Sequence, residues 1–276
     1  MLKITVARRA GFCFGVKRAV EIAFDMAGKK EGVSTLGPII HNPQLVARLK
    51  EKGIDAIDEP ADGTGTVIIR THGIPLDKHR RIAQTGVEII DATCPFVKKA
   101  QQYAKLLKEE DYQVIVLGDI DHPEVKSIMS YAGDEVLVVG EGETPKRMKS
   151  RVGIVVQTTQ PVDALKRLLC AVVEKAKEIK VYNTICNSTA LRLKETGEIS
   201  RSVDVMIVAG GKNSANTTQL ANQCREMGVR TYHVETSEEL DNAWFEDVES
   251  VGITAGASTP DWIIEEIVDR INKLGV

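Results

Sequence analysis

One pattern recurs three times along the 276 residues of this chain and restricts the folds that it can adopt. At each place a cysteine follows a short extended segment and precedes a stretch with helical periodicity. The cysteines are Cys13, Cys94 and Cys186, and the extended segments before them are Lys3–Ala7, Glu88–Asp91 and Lys180–Ile185. A strand, a loop and a helix that recur at roughly 80–100 residues predict three similar lobes.

Each repeat also carries polar residues where its strands are expected to end. Twenty-eight residues after each cysteine stands a polar side chain: His41, His122 and Ser214. Farther along each repeat, hydroxyl or imidazole groups precede a proline: Thr71-His72 before Pro75, Thr158-Thr159 before Pro161, and Ser258-Thr259 before Pro260. Ligands of parallel α/β sheets lie beyond the carboxyl ends of the strands. The three sets are therefore expected to converge on one site.

Continuous apolar runs predict strands that are buried on both faces, as in parallel sheets. Helical periodicity follows such runs, most clearly over 162–173 and 263–274. We expect an α/β fold of three similar lobes with mainly parallel sheets, in a pseudo-threefold (trefoil) arrangement around a central cavity. The expected lobes are 13–93, 94–186, and 187–276 together with 1–12, so that the third lobe borrows its last strand from the N-terminal segment.

Composition excludes several classes of protein. The 36 basic and 39 acidic residues give a net charge of −3, and aromatic residues make up only 4%. Neither value favours a nucleic-acid partner. No apolar run is long enough for a signal peptide or a membrane span. We therefore expect a cytoplasmic protein with reduced cysteines.

Three of the five cysteines are candidate metal ligands, because a helix N-terminus favours the thiolate form. A structural zinc site normally has four protein ligands, and the chain has no CxxC pair. An iron–sulfur cluster held by three cysteines would instead leave one iron open to act as a Lewis acid and to pass electrons. Packing in the core is the alternative for any single cysteine, and we expect it for Cys170 and Cys224.

The remaining polar groups favour an anion such as phosphate. Three histidines and several neutral donors end strands, and the loop Gly210–Ser214 precedes an expected helix start. For any one Ser or Thr the alternative is a helix N-cap. Glu124, two residues after His122, is a candidate general acid or a first-turn residue favoured by the helix dipole. The pattern alone does not separate these two roles.

These motifs resemble those of the 4-hydroxy-3-methylbut-2-enyl diphosphate reductase family over essentially the whole chain. The segments that carry the resemblance are Ala10–Val16, Gly37–Asn42, Arg70–Gly73, Asp91–Pro95, His122–Val125, Gln157–Thr159, Lys212–Asn216 and Thr254–Pro260. The resemblance implies an iron–sulfur oxidoreductase of the methylerythritol phosphate route to isoprenoids. Its reaction would be the reductive dehydroxylation of the allylic diphosphate to isopentenyl and dimethylallyl diphosphate.

The resemblance also implies roles for particular residues. Cys13, Cys94 and Cys186 would hold a [4Fe–4S] cluster with an open iron, which we expect to appear as [3Fe–4S] or to be absent after aerobic preparation. Glu124 would supply protons, with Thr158 in the same relay and His122 beside them. The residues expected to bind the substrate are His41, His72, His122, Thr158, Thr159, Ser214, Asn216 and Ser258. Ala215 departs from the commoner Ser, so it receives no side-chain role.

Two other functions fit the same residues. A hydro-lyase could use the open iron as a Lewis acid without an electron donor, and a metal- or phosphate-binding module would form no product. The reductase requires a donor of the ferredoxin or flavodoxin type. Lys17-Arg18 and Lys98-Lys99 follow two of the cysteines at equal offsets and form a candidate docking patch for it, the alternative being a solvated helix face.

Overall fold

The computed structural model describes residues 2–40, 42–61, 64–212 and 214–274. The chain begins with strand β1 (Lys3–Val6) and helix α1 (Phe14–Ala27). Three separate sheets then account for all the strands in these residues, and each sheet has four parallel strands. The prediction of an α/β fold built from three lobes with parallel sheets is confirmed.

The first sheet follows α1 and has the spatial order β3-β2-β4-β5. Its elements in chain order are β2 (Val33–Leu36), α2 (Pro43–Glu51), β3 (Asp55–Ile57), β4 (Thr66–Ile69), α3 (Leu76–Gln84) and β5 (Glu88–Asp91). All four residues of β4 are buried, as expected for a central strand covered on both faces.

The second sheet repeats that topology with the order β7-β6-β8-β9. Its elements are α4 (Pro95–Glu109), β6 (Gln113–Leu117), α5 (Pro123–Ala132), β7 (Leu137–Val139), β8 (Arg151–Val156), α6 (Val162–Val173) and β9 (Glu178–Tyr182). Alternate residues of β8 face different helices. Ile154 packs in the same cluster as Leu165 of α6, whereas Val155 packs in the same cluster as Leu107 of α4.

The third sheet has the order β11-β10-β12-β1. Its elements after β9 are α7 (Asn187–Ser200), β10 (Val205–Ala209), α8 (Ala215–Glu226), β11 (Arg230–Val234), β12 (Ser250–Ala255) and α9 (Asp261–Leu274), with 3₁₀ turns at Ser237–Glu239 and Asn242–Phe245. In this order β1 takes the place that β5 and β9 take in the other sheets. Lys3 pairs with Ser250 and Val6 with Ile253, so the N-terminal strand completes the third sheet, as the repeat predicts.

Packing divides the chain into two compact units. Unit I comprises the described residues of Met1–Lys17, His41–Leu45 and Asn187–Val276, and it contains the third sheet. Unit II comprises the described residues of Arg18–Ile40 and Val46–Cys186, and it contains the first two sheets. The exact lobe boundaries proposed from the sequence stay a prediction.

One expected strand is shorter than predicted. The extended segment before Cys186 was expected over Lys180–Ile185, but β9 ends at Tyr182. The Asn183 carboxamide accepts the Ile185 N–H (3.2 Å) and turns the backbone. Thr184 then bonds to Val156 through its side chain, which replaces the next rung of the sheet ladder. No helix in the described residues is long and apolar enough to cross a membrane.

Candidate functional site

Each of the three repeated cysteines lies immediately before a helix, at the edge where the strands of its sheet end. Their amides are fixed in the same way. The N–H of Cys94 donates to the carbonyl of Thr71 (2.9 Å), that of Cys186 to Thr158 (2.8 Å), and that of Cys13 to Ala257 (3.2 Å). Each acceptor stands just past the strand that neighbours the cysteine's own strand. The repeat recognised from the cysteines therefore extends to their backbone bonds.

The three thiols have the chemistry that an iron–sulfur cluster requires. Cys13, Cys94 and Cys186 are half-buried, and each stands directly before the first residue of a helix. Within the part of the chain that the structure describes, no three His, Cys, Asp or Glu side chains form a group that could hold a metal ion. The assignment of these thiols as ligands stays a prediction.

The two remaining cysteines differ from each other. Cys224 is fully buried against β10, as expected for a core residue. Cys170 is exposed, so the core prediction was wrong for it. The buried stripe of α6 passes through Ala164, Leu165, Leu168 and Val172, which leaves position 170 on the outward face.

Glu124 lies at the start of α5, in unit II, and only 1% of its surface is exposed. Thr158, just past β8, holds both of its carboxylate oxygens. The Thr158 N–H donates to Oε1 (2.6 Å) and the Thr158 hydroxyl donates to Oε2 (2.9 Å). Burial raises the pKa of the Glu124 carboxyl above its usual range, although both bonds from Thr158 oppose that shift. The predicted acid and its relay partner are in direct contact.

His122 is the N-cap of α5, and its Nδ1 accepts the N–H of Glu124 (3.1 Å). A neutral ring with Nδ1 as acceptor carries its proton on Nε2, which can then donate to a ligand. The His72 ring lies edge-to-face against that of His122, with the centroids 5.1 Å apart. Unit II thus brings together His72, His122, Glu124 and Thr158.

Gly73 sets the turn that carries His72. Its φ of +71° suits glycine, and an added Cβ would stand 2.6 Å from Nε2 of Gln101. That amide donates to Ser127 of α5 (2.7 Å), and the Ser127 hydroxyl donates to the Ile74 carbonyl (2.9 Å). The turn after β4 is therefore fastened to the helix that carries Glu124.

Unit I contains a second set of predicted residues. Ser214 is the N-cap of α8, accepting the Thr217 N–H (3.4 Å), and this leaves its own O–H able to donate to a ligand. Asn216 lies in the first turn of that helix, half-buried. Ser258 follows β12, the neighbour of β10, so both loops stand at the same edge of one sheet. The cap role was one of the alternatives for Ser214, and the structure shows it.

Three other predictions have different outcomes. Thr159 is exposed beside the buried Thr158, and its side chain makes no hydrogen bond within the described residues. His41 lies outside the described residues. In the candidate donor patch, Lys98 pairs with Asp91 (2.7 Å) and Arg18 donates to the Thr93 carbonyl (3.3 Å), so these two charges brace the turn before Cys94.

Asn42 was not singled out from the sequence as a positioning residue. Its Oδ1 accepts the Leu45 N–H (2.9 Å) at the start of α2, and its Nδ2 donates to the Ser258 carbonyl (3.1 Å). An Asn before a Pro-initiated helix is an N-cap signal that the sequence did contain.

The sequence also did not reveal Arg192 and Glu195 of α7. Arg192 is 4% exposed and donates to the carbonyls of Gly11 (2.9 Å) and Ala255 (2.7 Å), and also to that of Arg9. Burial lowers the pKa of its guanidinium, and the electrostatic effect of the neighbouring Cys13 and Glu195 side chains opposes the shift. The signal was the stripe Arg192, Thr196 and Ser200, whose spacing gives α7 a polar buried face.

Comparisons with known proteins agree with this picture. The family model described as LytB protein matches residues 4–272. A protein of Pelobacter propionicus named 4-hydroxy-3-methylbut-2-enyl diphosphate reductase is 50% identical over 276 residues, with 99% of both chains covered. A protein of Geobacter sulfurreducens with the same name is 51% identical over 275 residues, with 99% and 98% covered.

Two solved structures share the fold. One is described as (E)-4-hydroxy-3-methyl-but-2-enyl diphosphate reductase, the terminal enzyme of the non-mevalonate pathway; its TM-score is 0.83 at 44% identity, covering 99% of this chain and 100% of that one. The other is described as the E-1-hydroxy-2-methyl-but-2-enyl-4-diphosphate reductase from Plasmodium falciparum; its TM-score is 0.81 at 25% identity, covering 97% of this chain and 87% of that one. The chain therefore belongs to the LytB protein family, and its whole length is similar to reductases with the name that its motifs predicted.

Proposed function

We propose that this protein reductively removes the allylic hydroxyl of 4-hydroxy-3-methylbut-2-enyl diphosphate and forms isopentenyl and dimethylallyl diphosphate. The observation that carries the proposal is the buried Glu124–Thr158 pair beside two histidines, in a chain about half identical to reductases of that name. The reaction breaks one C–O bond and forms one C–H bond. It consumes two electrons and two protons and releases the hydroxyl as water.

Cys13, Cys94 and Cys186 are the proposed ligands of a [4Fe–4S] cluster. When bound, the cluster would supply the electrons and an open iron that acts as a Lewis acid. The chain prepares each thiol by fixing the cysteine amide on a neighbouring strand end and by placing the thiol at a helix N-terminus. The electron donor is proposed to be a small acidic carrier of the ferredoxin or flavodoxin type.

Glu124 and Thr158 are proposed to deliver protons. Burial favours the neutral carboxyl, so a proton stays on Glu124 to a higher pH than on an exposed Glu. When Oε2 carries a proton, donor and acceptor exchange in the Glu124–Thr158 hydrogen bond, because the carboxyl O–H then donates to the threonine hydroxyl. That hydroxyl can in turn donate onward, which makes Thr158 the exit of the relay.

The diphosphate is proposed to bind to polar groups that follow the strands. His72 and the Nε2–H of His122 would donate near the start of α5, Ser214 and Asn216 would donate at the start of α8, and Ser258 would donate from the loop after β12. Helix N-termini and neutral donors favour a doubly charged phosphate without a surplus of basic residues. His41 and the exposed Thr159 complete the proposed set.

The assignment is tested by anaerobic reconstitution followed by a donor-dependent assay with the allylic diphosphate. Cys94→Ser should lose the iron–sulfur absorption and the activity, whereas Cys170→Ser, which changes an exposed cysteine, should keep both. Glu124→Gln should retain the cluster and lower kcat about 100-fold or more, the usual share of a general acid. Turnover without a donor would indicate a hydro-lyase, and binding without product would indicate a binding module; either result overturns the reductase.

A further inference from the structure

Helix α7 grips the loop between β1 and α1 through two side chains one helical turn apart. The Glu195 carboxylate accepts the N–H groups of Arg8 (2.9 Å) and Arg9 (3.0 Å). The Arg192 guanidinium donates to the carbonyls of Arg9 and Gly11. One residue holds the donors of this loop and the other holds its acceptors. All of these contacts lie within unit I.

The guanidinium also fastens the loop to the sheet. Arg192 donates to the carbonyl of Ala255, the last residue of β12 (2.7 Å). Two residues after Ala255, the carbonyl of Ala257 accepts the N–H of Cys13. Arg192 therefore touches both segments that define where the Cys13 amide stands.

The buried face of α7 is polar along much of its length. Thr196 shares a hydrogen bond with Thr254 of β12 (2.9 Å), and the Ser200 hydroxyl donates to the Thr196 carbonyl (2.8 Å). A helix that packed only for stability would present apolar residues, since burying a cation costs free energy that neutral carbonyls repay only in part. A buried Arg192 is explained if its hydrogen bonds hold the β1–α1 loop in position.

Gly11 shows how little freedom this loop has. Its φ is +84°, and an added Cβ would stand 2.8 Å from Oδ1 of Asp261. The carbonyl of this same residue is an acceptor for Arg192. Cys13 follows two residues later, so a displacement of the loop backbone would also displace the Cys13 thiol.

We propose that Arg192 and Glu195 are positioning residues that hold the Cys13 thiol ready for cluster binding. The inference rests on the proposed function, in which Cys13 is a cluster ligand. Because α7 begins directly after Cys186, the helix that starts at one proposed ligand holds the loop of another. Without the pair, Cys13 should be the ligand that is lost first, while Cys94 and Cys186 keep their places.

The test compares Glu195→Gln and Arg192→Met with two matched controls on the exposed face of the same helix, Glu198→Gln and Lys194→Met. In the cluster-free full chain, hydrogen exchange of the Arg8 and Arg9 amides should speed up about tenfold in Glu195→Gln, because both amides lose a charge-assisted bond. Arg192→Met should also speed it up, because the loop loses the donor to its carbonyls and opens more often. Exchange in β10 and β12 reports whether the unit stays folded. Arg192→Lys should fall between, since one ammonium cannot reach three carbonyls.

In the reconstituted protein, iron and sulfide content is measured during a challenge with chelator, and alkylation with iodoacetamide is mapped by residue. We expect the test variants to lose iron at least fivefold faster and to expose Cys13 to alkylation before Cys94 and Cys186. General loosening would expose all three cysteines together and would overturn the inference, as would test variants that match the controls. If Arg192→Met does not fold, Glu195→Gln decides.

The two proposals fail in different ways. If Cys13→Ser retains a full cluster, Cys13 is not a ligand and the proposed function falls, whatever the exchange rates show. If Cys13→Ser loses the cluster but Glu195→Gln and Arg192→Met retain it with wild-type exchange, only the positioning role falls.

Discussion

At the scale of single residues, the acid candidate is set apart by its surroundings more than by its type. Glu124 is one of many glutamates, but the fold removes it from water and leaves both of its oxygens on one threonine. A general acid at neutral pH needs such an environment, because an exposed carboxyl would already have lost its proton.

The raised pKa predicts how stability depends on pH. Burial raises the pKa of Glu124 in the folded protein, whereas the unfolded chain releases this proton near the ordinary value of 4.5. The proton therefore favours the folded state fully below that value, and the contribution is lost as pH rises through the folded pKa. In urea unfolding of the cluster-free protein from pH 4 to 8, the wild type should lose stability across this window relative to Glu124→Gln. Parallel curves for the two proteins would argue against a buried, titrating Glu124.

At the scale of elements, strand β8 packs so closely against a helix that one of its positions requires glycine. Gly153 in β8 faces α4, where a Cβ would stand 2.5 Å from Cδ2 of the fully buried Leu107. Neighbouring residues on the other face of the strand pack on α6 instead.

Gly153→Ala should therefore lower the free energy of unfolding by about 1–3 kcal/mol, as overpacking a core does. Gly28→Ala is the control. Gly28 is exposed, and an added Cβ there would stand 3.8 Å from its nearest neighbour, the Asp25 carbonyl oxygen, so this substitution should change stability little. Chemical denaturation measures both. A second change, Leu107→Val, should recover part of the loss by making space, and an additive loss in the double variant would contradict this packing.

The elements were largely predictable because parallel strands leave a strong signal, a short apolar run before a turn. The three cysteines and the residues that follow the strands could also be placed, since the carboxyl ends of parallel strands meet at one edge. Side-chain contacts of α7 could not be predicted. Arg192 and Glu195 are ordinary helix residues by type, and their partners are backbone groups of the β1–α1 loop and of β12, which are distant in sequence. The exposure of Cys170 was also missed, because it depends on which face of α6 position 170 occupies.

At the scale of the whole molecule, the three sheets differ in how far apart in the chain their strands are. The first two sheets pair strands that are close in sequence, such as β6 with β7 and β8. The third sheet needs β1 to find β12, which joins Lys3 to Ser250. Contacts over long sequence separations form late, because closing a long loop costs chain entropy before the contacts can stabilise the closed loop.

We therefore expect the amides of β6 and β8 to be protected before those of β1 and β12 when the cluster-free protein refolds. Pulsed hydrogen exchange followed by mass spectrometry measures this order. Protection of β10, which lies in the third sheet but pairs with nearby β11, serves as an internal comparison. Simultaneous protection of every strand would show that the long-range pairing is part of the folding nucleus.

The same pairing has a consequence for synthesis of the protein in the cell. Strand β1 leaves the ribosome before its partner β12, which emerges roughly 10–50 s later at ordinary translation rates. Until then the loop that carries Cys13 has neither β12 nor α9 to pack against. The nascent chain can therefore hold Cys94 and Cys186 in folded structure before Cys13, so any iron–sulfur cluster that uses all three should be inserted only after β12 and α9 have been synthesised.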